Sequence, residues 1–307
     1  MIWGNLLHLG YNMWGDWEHP DLGPQWGAKP YLRFDEGLWR RLLARMAEAG
    51  LNMVVLDLGE GVRYDSHPEL AVNGSWSAKK LRRELDRMRA MGLEPIPKLN
   101  FSTTHDAWLG EYARCVSTER YYAVCRDLIA EVVERFDRPR FFHLGMDEET
   151  AAHQRNFIYV MARQHDLWWH DLQILVDAVE KAGSRAWVWS DVVWHHHDEF
   201  LERMPTSVVQ SNWYYWLNFH KVRDHRVKAY FELEERGYDQ VPTGSIWHSP
   251  DNFGRLASYC LARLSPERCL GFLQTPWKPT LPEFEDSHLL AIATVEAAIQ
   301  AAGTLPP

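Results

Sequence analysis

The sequence predicts an α/β protein folded as a single (β/α)8 TIM barrel over residues 1–307. Three observations predict it. Short apolar runs alternate with helical segments eight times along the chain, with no linker or low-complexity tract between them. The length of 307 residues suits one large barrel domain with a sizeable core. An open doubly wound sheet would want a Gly-rich phosphate turn after its first strand, and His8-Leu9-Gly10-Tyr11-Asn12 is not one.

The first strand is read over 6–13, followed by a loop over 15–33 rich in Pro, Gly and Trp. Residues 36–49 carry Leu38, Leu42, Leu43 and Met46 at helical spacing and stop at Gly50. Met53-Val54-Val55-Leu56-Asp57 is the second strand. A helix over 77–91 has Ser77 as N-cap and Gly92 as its stop. The third strand is placed at 93–101, and its helix at 118–136, capped by Ser117 or Thr118. The fourth strand covers 140–145, and a long helix is predicted over about 154–182, ending at Gly183. The fifth strand, 185–193, is built on Ala186-Trp187-Val188-Trp189 and precedes a short helix at 197–204. The sixth strand, 207–210, leads into Ser211-Asn212-Trp213-Tyr214-Tyr215-Trp216, then a helix over 227–236. The seventh strand, 241–247, is the weakest. A helix at 251–264, the eighth strand at 269–274 and a helix at 287–302 complete the pattern.

Composition narrows the function classes. The net charge is −9 and Lys and Arg are dispersed, which argues against nucleic acid as the main partner. No apolar run is long enough to span a membrane, so no membrane partner is expected. No basic segment followed by an apolar one opens the chain. The expected compartment is cytoplasmic, or outside the cell for a mature form whose leader has been removed. Cys115, Cys125, Cys260 and Cys269 form no CxxC pair and are read as reduced, mostly buried thiols. The anomaly is 16 Trp with 12 Tyr and 12 Phe. Such residues fill cores, and at strand ends they also stack on the C–H faces of sugar rings.

The most informative run is His143-Leu144-Gly145-Met146-Asp147-Glu148-Glu149. An apolar segment delivers adjacent carboxylates to its C-terminal end, where barrels of this type hold their chemistry. Unpaired acids are costly to bury, so this strand end is expected to face a cleft. Paired carboxylates suit glycosidic bond cleavage, in which one donates a proton and the other steadies positive charge. The remaining strand ends carry His8, Asn12 and Trp14; Asp57 and Glu60; Asn100, His105 and Asp106; Trp189 and Asp191; Asn212, Trp213, Tyr214 and Tyr215; Trp247 and His248; and Gln274 and Trp277. Acids and amides read hydroxyls and aromatics take a ring face, so the pooled inventory is that of a sugar pocket.

His-Leu-Gly-Met-Asp-Glu resembles the His-x-Gly-Gly-Asp-Glu strand end of glycoside hydrolase family 20, the β-N-acetylhexosaminidases. Ser102-Thr103-Thr104-His105 resembles that family's third-strand His segment, and Trp189-Ser190-Asp191 its fifth-strand Trp-Asp-Glu. Trp213-Tyr214-Tyr215 resembles its acetamide-contacting Tyr region, and 271–277 its last-strand Gly…Trp. Family 123, β-N-acetylgalactosaminidases, shares the Asp-Glu device and is a comparable match. There are departures. No Arg lies between Met1 and Pro30, where family 20 has its first-strand sugar-reading Arg. Trp277 is followed by Lys278-Pro279 rather than x-Glu, Met146 replaces the second Gly, and no counterpart of the family's separate N-terminal domain is expected within these 307 residues. The resemblance implies retaining hydrolysis of a terminal β-linked GalNAc or GlcNAc, assisted by the substrate's 2-acetamido group, with no cofactor; exo action is expected because the Trp-rich loop from Trp14 to Trp26 would close one end of the pocket. Glu148 would be general acid and then base, and Asp147 would stay ionised to hold the acetamide N–H. Tyr214 or Tyr215 would orient its oxygen, Trp189, Trp213 and Trp277 would wall the pocket, and His105 and His143 would tune the acids. Both acids reach one substrate only if the chain turns at Met146 or Asp147.

Plainer readings stand beside these. An acidic triplet before a helix is a favourable N-terminal turn. His195-His196-His197 is read as a solvated loop rather than a metal site, because consecutive residues rarely converge on one ion without flanking ligands. Asp57 and Glu60 serve equally well to bind a hydroxyl or to pair with Arg63. Three alternatives remain. One is a two-carboxylate glycosidase with Asp191 or Asp57 as nucleophile, one a metal-dependent barrel hydrolase or isomerase, although the first strand lacks the His-x-His typical of such hydrolases, and one a non-catalytic carbohydrate-binding barrel. The oligomeric state is not legible.

Overall fold

The computed structural model describes residues 1–18, 23, 26–219 and 224–303. Eight parallel strands form the sheet: β1 (Ile2–His8), β2 (Met53–Asp57), β3 (Glu94–Lys98), β4 (Phe141–His143), β5 (Arg185–Trp189), β6 (Val209–Ser211), β7 (Thr243–Ser245) and β8 (Gly271–Thr275). Except between β6 and β7, each strand pairs with its sequence neighbour, and β8 returns to β1 in the register Ile2↔Gly271 to Asn5↔Gln274. Isolated bridges Gln210↔Gln240 and Trp213↔Thr243 close the seam between β6 and β7. The result is a (β/α)8 barrel. Around it lie α1 (Glu36–Glu48), α2 (Ala78–Ala90), α3 (Glu119–Arg135), α4 (Asp166–Ala182), α5 (Val192–His195), α6 (His197–Arg203), α7 (His225–Glu235), α8 (Asn252–Leu261) and α9 (Glu285–Gly303). No helix among the described residues is long and apolar enough to cross a membrane.

The helices form where stripe and cap agree. Leu38, Leu42, Leu43 and Met46 of α1 are all fully buried, each worth about 1.5–3 kcal/mol of transfer free energy. Asp35 caps α1 by accepting from Leu38 N, Ser77 caps α2 at Lys80 N, and Thr118 caps α3 at Tyr121 N. Ser117 is not the α3 cap; its hydroxyl donates to Asp171 at 2.7 Å. The four cysteines are free thiols, three of them buried.

Several boundaries differ from the sequence expectation. The first strand is Ile2–His8, not 6–13. A parallel strand is buried on both faces, so an apolar run does not mark its ends. The chain leaves the sheet because Gly10 passes over the end of β2, where a Cβ would lie 2.5 Å from Leu58 O; Asn12–Trp14 is then a 3-10 turn. Within the loop expected at 15–33, positions 19–22 and 24–25 lie outside the described residues. The fifth strand stops at Trp189 and the chain turns into α5, and the seventh stops at Ser245. The fourth, sixth and eighth strands keep their places with ends shifted by one or two residues.

The largest difference is the helix expected over 154–182, which begins only at Asp166. Residues 148–165 form a loop held by two tertiary anchors. The Gln154 amide brackets Met161, donating to its O at 2.6 Å and accepting from its N at 2.7 Å. Buried Arg163 ties the loop to Glu149, to Asp171 at 3.0 Å and to Phe101 O at 2.6 Å. These bonds outweigh a helix propensity worth only tenths of a kcal/mol per residue.

Candidate active site

The chain beyond β4 enters the left-handed region three times within four residues. Gly145, Met146 and Glu148 have φ of 76°, 74° and 55°. Only glycine fits at 145, since a Cβ there would sit 2.1 Å from Asn100 Oδ1. Left-handed Met146 and Glu148 each cost about 1–2 kcal/mol, and several bonds hold the turn against that cost. Asp147 O accepts from the Ser102 hydroxyl and from Thr104 Oγ1 at 3.0 Å. Glu148 N donates to Asp191 Oδ2 at 2.9 Å, and the Met146 side chain is buried against Arg163.

The turn sends the three consecutive acids to three environments. Asp147 is buried, with its Oδ1 3.3 Å from both Asn100 Nδ2 and His105 Nδ1. The other ring nitrogen of His105 lies 3.9 Å from Glu148 Oε2, and His153 Nε2 approaches Glu148 Oε1 at 3.6 Å. One imidazole thus spans both carboxyl groups. Glu149 instead accepts from Arg163 Nη2 at 2.7 Å and Nε at 3.0 Å, which makes it an anchor of the 148–165 loop.

Their protonation diverges accordingly. Burial pushes Asp147 up, but the charge and hydrogen bond of His105, with Lys98 and Asn100 behind them, outweigh it and bring its pKa to about 2. Burial pushes Glu148 up as well. His105 opposes this only in part and the Asp147 charge adds to it, so Glu148 titrates above the ordinary carboxyl range. Burial lowers His105, yet the two acids prevail and raise its pKa. Asp191, buried and facing the charges of Asp147 and Glu148, is pushed up to about 8.

Below the pair lies the barrel's polar interior. Fully buried Lys98 meets Asp57 at 2.5 Å, and His8 Nδ1 lies 3.5 Å from the same oxygen. His143 Nδ1 accepts from Gly145 N at 3.0 Å and its ring packs 4.2 Å from Trp189. Above the pair opens a cavity of about 550 Å³. Its walls are Trp14, Trp26, Trp189, Trp213, Tyr215, Trp247 and Trp277, and its polar edge includes Thr104, His105, Asp147, Glu148, His153, Arg155 and Asn156. Trp277, at φ 51°, donates from its indole to Tyr215 OH at 2.9 Å.

The structure therefore brings His105, Asp147, Glu148, Trp189, Trp213, Tyr215, Trp247 and Trp277 to one cavity. Asn100 and His143 sit just beneath it, supporting the acidic turn. His8 and Asp57 lie in the interior ion cluster. Asn12 is buried beside it, binding Lys29 backbone and Arg33. Asn212 fixes Trp194 and the Arg226 carbonyl. Tyr214 faces away, its hydroxyl on Asn218 O at 3.1 Å. Asp191 lines a second cavity of about 570 Å³ that shares Glu148, His153, Trp213 and Trp216 with the first. The sequence pattern does not single out His153, Arg155, Asn156 or Trp216 as lining residues, whereas Trp14 and Trp26 line the cavity as the Trp-rich loop predicts. His153, Arg155 and Asn156 belong to the loop whose sequence reads as helix, so no local signal marks them.

No protein-family model and no curated protein sequence matches the chain. Solved structures do resemble it. A β-N-acetylhexosaminidase from Bacteroides fragilis NCTC 9343 aligns at 15% identity and TM-score 0.65, over 95% of this chain and 64% of that one. A GH20 exo-β-N-acetylglucosaminidase from Vibrio harveyi, solved with N-acetylglucosamine, aligns at 13% and 0.65, over 97% and 53%. The GH20 β-N-acetylhexosaminidase of Streptomyces coelicolor A3(2) aligns at 14% and 0.61, over 98% and 69%. The chain thus spans 64% and 53% of the lengths of the first two. At these identities the likeness establishes the fold: the chain is a (β/α)8 barrel of the shape those hexosaminidases share.

Proposed function

We propose that this protein is a retaining exo-β-N-acetylhexosaminidase of the family 20 type, releasing terminal β-linked GlcNAc or GalNAc by substrate-assisted catalysis. One observation carries the reading. At the foot of a tryptophan-walled cavity, adjacent carboxyl groups are driven in opposite directions by their surroundings, Asp147 toward the ionised form and Glu148 toward the protonated one. The fold shared with proteins named hexosaminidases adds to it.

In this mechanism Glu148 gives its proton to the glycosidic oxygen as the C1–O bond breaks. The acetamide carbonyl oxygen attacks C1 from the opposite face, giving a bicyclic oxazolinium ion. Asp147 accepts the acetamide N–H and offsets the positive charge that develops. Glu148, now ionised, takes a proton from water as the water opens the ring at C1, which restores both the enzyme and the β configuration. Tyr215, rather than Tyr214, has its hydroxyl beside the cavity to orient the acetamide. Trp189, Trp213 and Trp277 supply faces for the sugar and its methyl group. Ring contacts of Trp26 with Trp14 and Trp247 wall one side, which suits exo action.

The two-carboxylate alternative finds less support. Asp57 is locked to Lys98 outside the cavity, and Asp191, at about 8, is held neutral at pH 7 and accepts from Glu148 N. The test is hydrolysis of β-GlcNAc and β-GalNAc glycosides by wild type and Glu148→Gln, with β-glucoside and β-galactoside as controls. Turnover confined to the acetamido sugars and collapsing in the variant is expected. Turnover only of the plain glycosides would overturn the acetamide mechanism.

A further inference from the structure

We propose a zinc-class metal site on the wall of the second cavity, formed by His165, His196 and Glu199. These residues present ligand atoms that all lie within 4.8 Å of one another. A tetrahedral zinc ion with bonds of about 2.0–2.1 Å needs its ligand atoms roughly 3.4 Å apart, so small side-chain rotations close the set. Two elements supply it. His196 and Glu199 stand three apart at the start of α6, with Nδ1 and Oε2 at 3.9 Å. His165 precedes α4, leaves that helix without a side-chain cap, and turns its ring to 5.9 Å from the His196 ring.

The neighbouring histidines are engaged elsewhere, so the consecutive run does not have to converge on the ion. His197 bonds Asp198 at 2.8 Å and lies 3.1 Å from Glu232, while His195 faces His225. What the run lacks by itself, flanking ligands, the fold provides. Glu199 Oε1 accepts from Arg203 at 3.2 Å, which leaves Oε2 as the oxygen turned to His196. Two imidazoles and one carboxylate favour Zn²⁺, with Cu²⁺ or Ni²⁺ as competitors, over Mg²⁺ or Ca²⁺, which want oxygen alone. The cavity leaves room for a water as fourth ligand. Glu148 lines the same cavity, so an ion bound here would face the space beside the proposed acid.

The test is calorimetric titration of Zn²⁺, and of Mg²⁺ as control, into the full chain at pH 7.5. His165→Ala, His196→Ala and Glu148→Gln are titrated alongside. The last variant matters because His105, Asp147 and Glu148 form the other close ligand group among the described residues. The expected result is one Zn²⁺ per chain and no Mg²⁺ binding. Affinity should fall by at least about tenfold in each His variant and persist in Glu148→Gln. Both histidines are exposed, so metal-free thermal unfolding of their variants should match wild type and show that the loss is local. Three results would each overturn the site: no Zn²⁺ binding, binding undiminished in both His variants, or binding lost in Glu148→Gln and kept in His196→Ala.

Discussion

Two acid clusters lie one above the other in this barrel, the lower buried and the upper at the foot of the cavity, and they differ in how many cations serve each acid. In the lower one, Asp57 alone receives Lys98 at 2.5 Å and His8 at 3.5 Å. Its charge is fully met, and burial is offset by a permanent cation. In the upper one, Asp147 and Glu148 share His105, with His153 near Glu148 only. The better-bonded Asp147 is held toward the ionised form, while partly buried Glu148, beside that charge, is shifted toward the protonated form. A satisfied pair is a fixture of the fold, whereas an under-served pair is biased toward holding a proton.

The sharpest way to break that contrast is to remove the mobile proton. Glu148→Gln should lower kcat/KM for an N-acetylhexosaminide with a sugar leaving group by roughly 10³-fold, within the range of general acid catalysis. The loss should be smaller for p-nitrophenyl glycosides, whose leaving group needs little protonation. Equal losses for both would point to misfolding rather than acid catalysis, and far-UV circular dichroism checks that. The converse change in the lower cluster, Lys98→Met, should destabilise the fold by about 3–5 kcal/mol in urea unfolding, because it strands a buried carboxylate. A loss below about 1 kcal/mol would mean that Asp57 is not held as an ion.

Asp191 sharpens the comparison as an acid to which no cation among the described residues is bonded. Its folded pKa is about 8 against an ordinary 3.8, so between these values the folded state holds a proton that the unfolded state has lost. Its contribution to stability is fully present below pH 3.8 and declines as pH rises to about 8. Asp191→Asn removes the decline. The stability of the variant relative to wild type should therefore climb across that window and level off above it, as followed by denaturant unfolding at stepped pH. A flat difference would show that Asp191 is ionised in the fold. The smallest effect is expected at the exposed rim. Arg155→Ala should raise KM by less than about tenfold with kcat unchanged, the pattern of lost uniform binding.

The layout of the barrel was legible because alternation, glycine stops and polar caps agree in most units, as at Ser77 to Gly92. The acidic turn was legible in part. Gly145 beside paired acids signals a site, but the left-handed turns at Met146 and Glu148 depend on Ser102, Thr104 and Asp191, which lie in the segments that follow β3 and β5. The split of Glu149 from Glu148 was not legible, since it rests on Arg163 fourteen residues later. The boundary of α4 failed for the same reason, with Gln154 and Arg163 overriding a sequence that reads as helix. At β1, burial on both faces erased the pattern that would have set its ends. Long-range hydrogen bonds leave no local periodicity.

The most direct measurement of the central claim is a ¹³C NMR titration of the side-chain carboxyl groups, assigned by the signals lost in Asp147→Asn and Glu148→Gln. Asp147 should remain ionised throughout pH 4–8, consistent with a pKa of about 2, while Glu148 titrates above its ordinary 4.5. Two carboxyls titrating together near pH 4, or a protonated Asp147 at pH 7, would contradict the division of roles on which the mechanism rests.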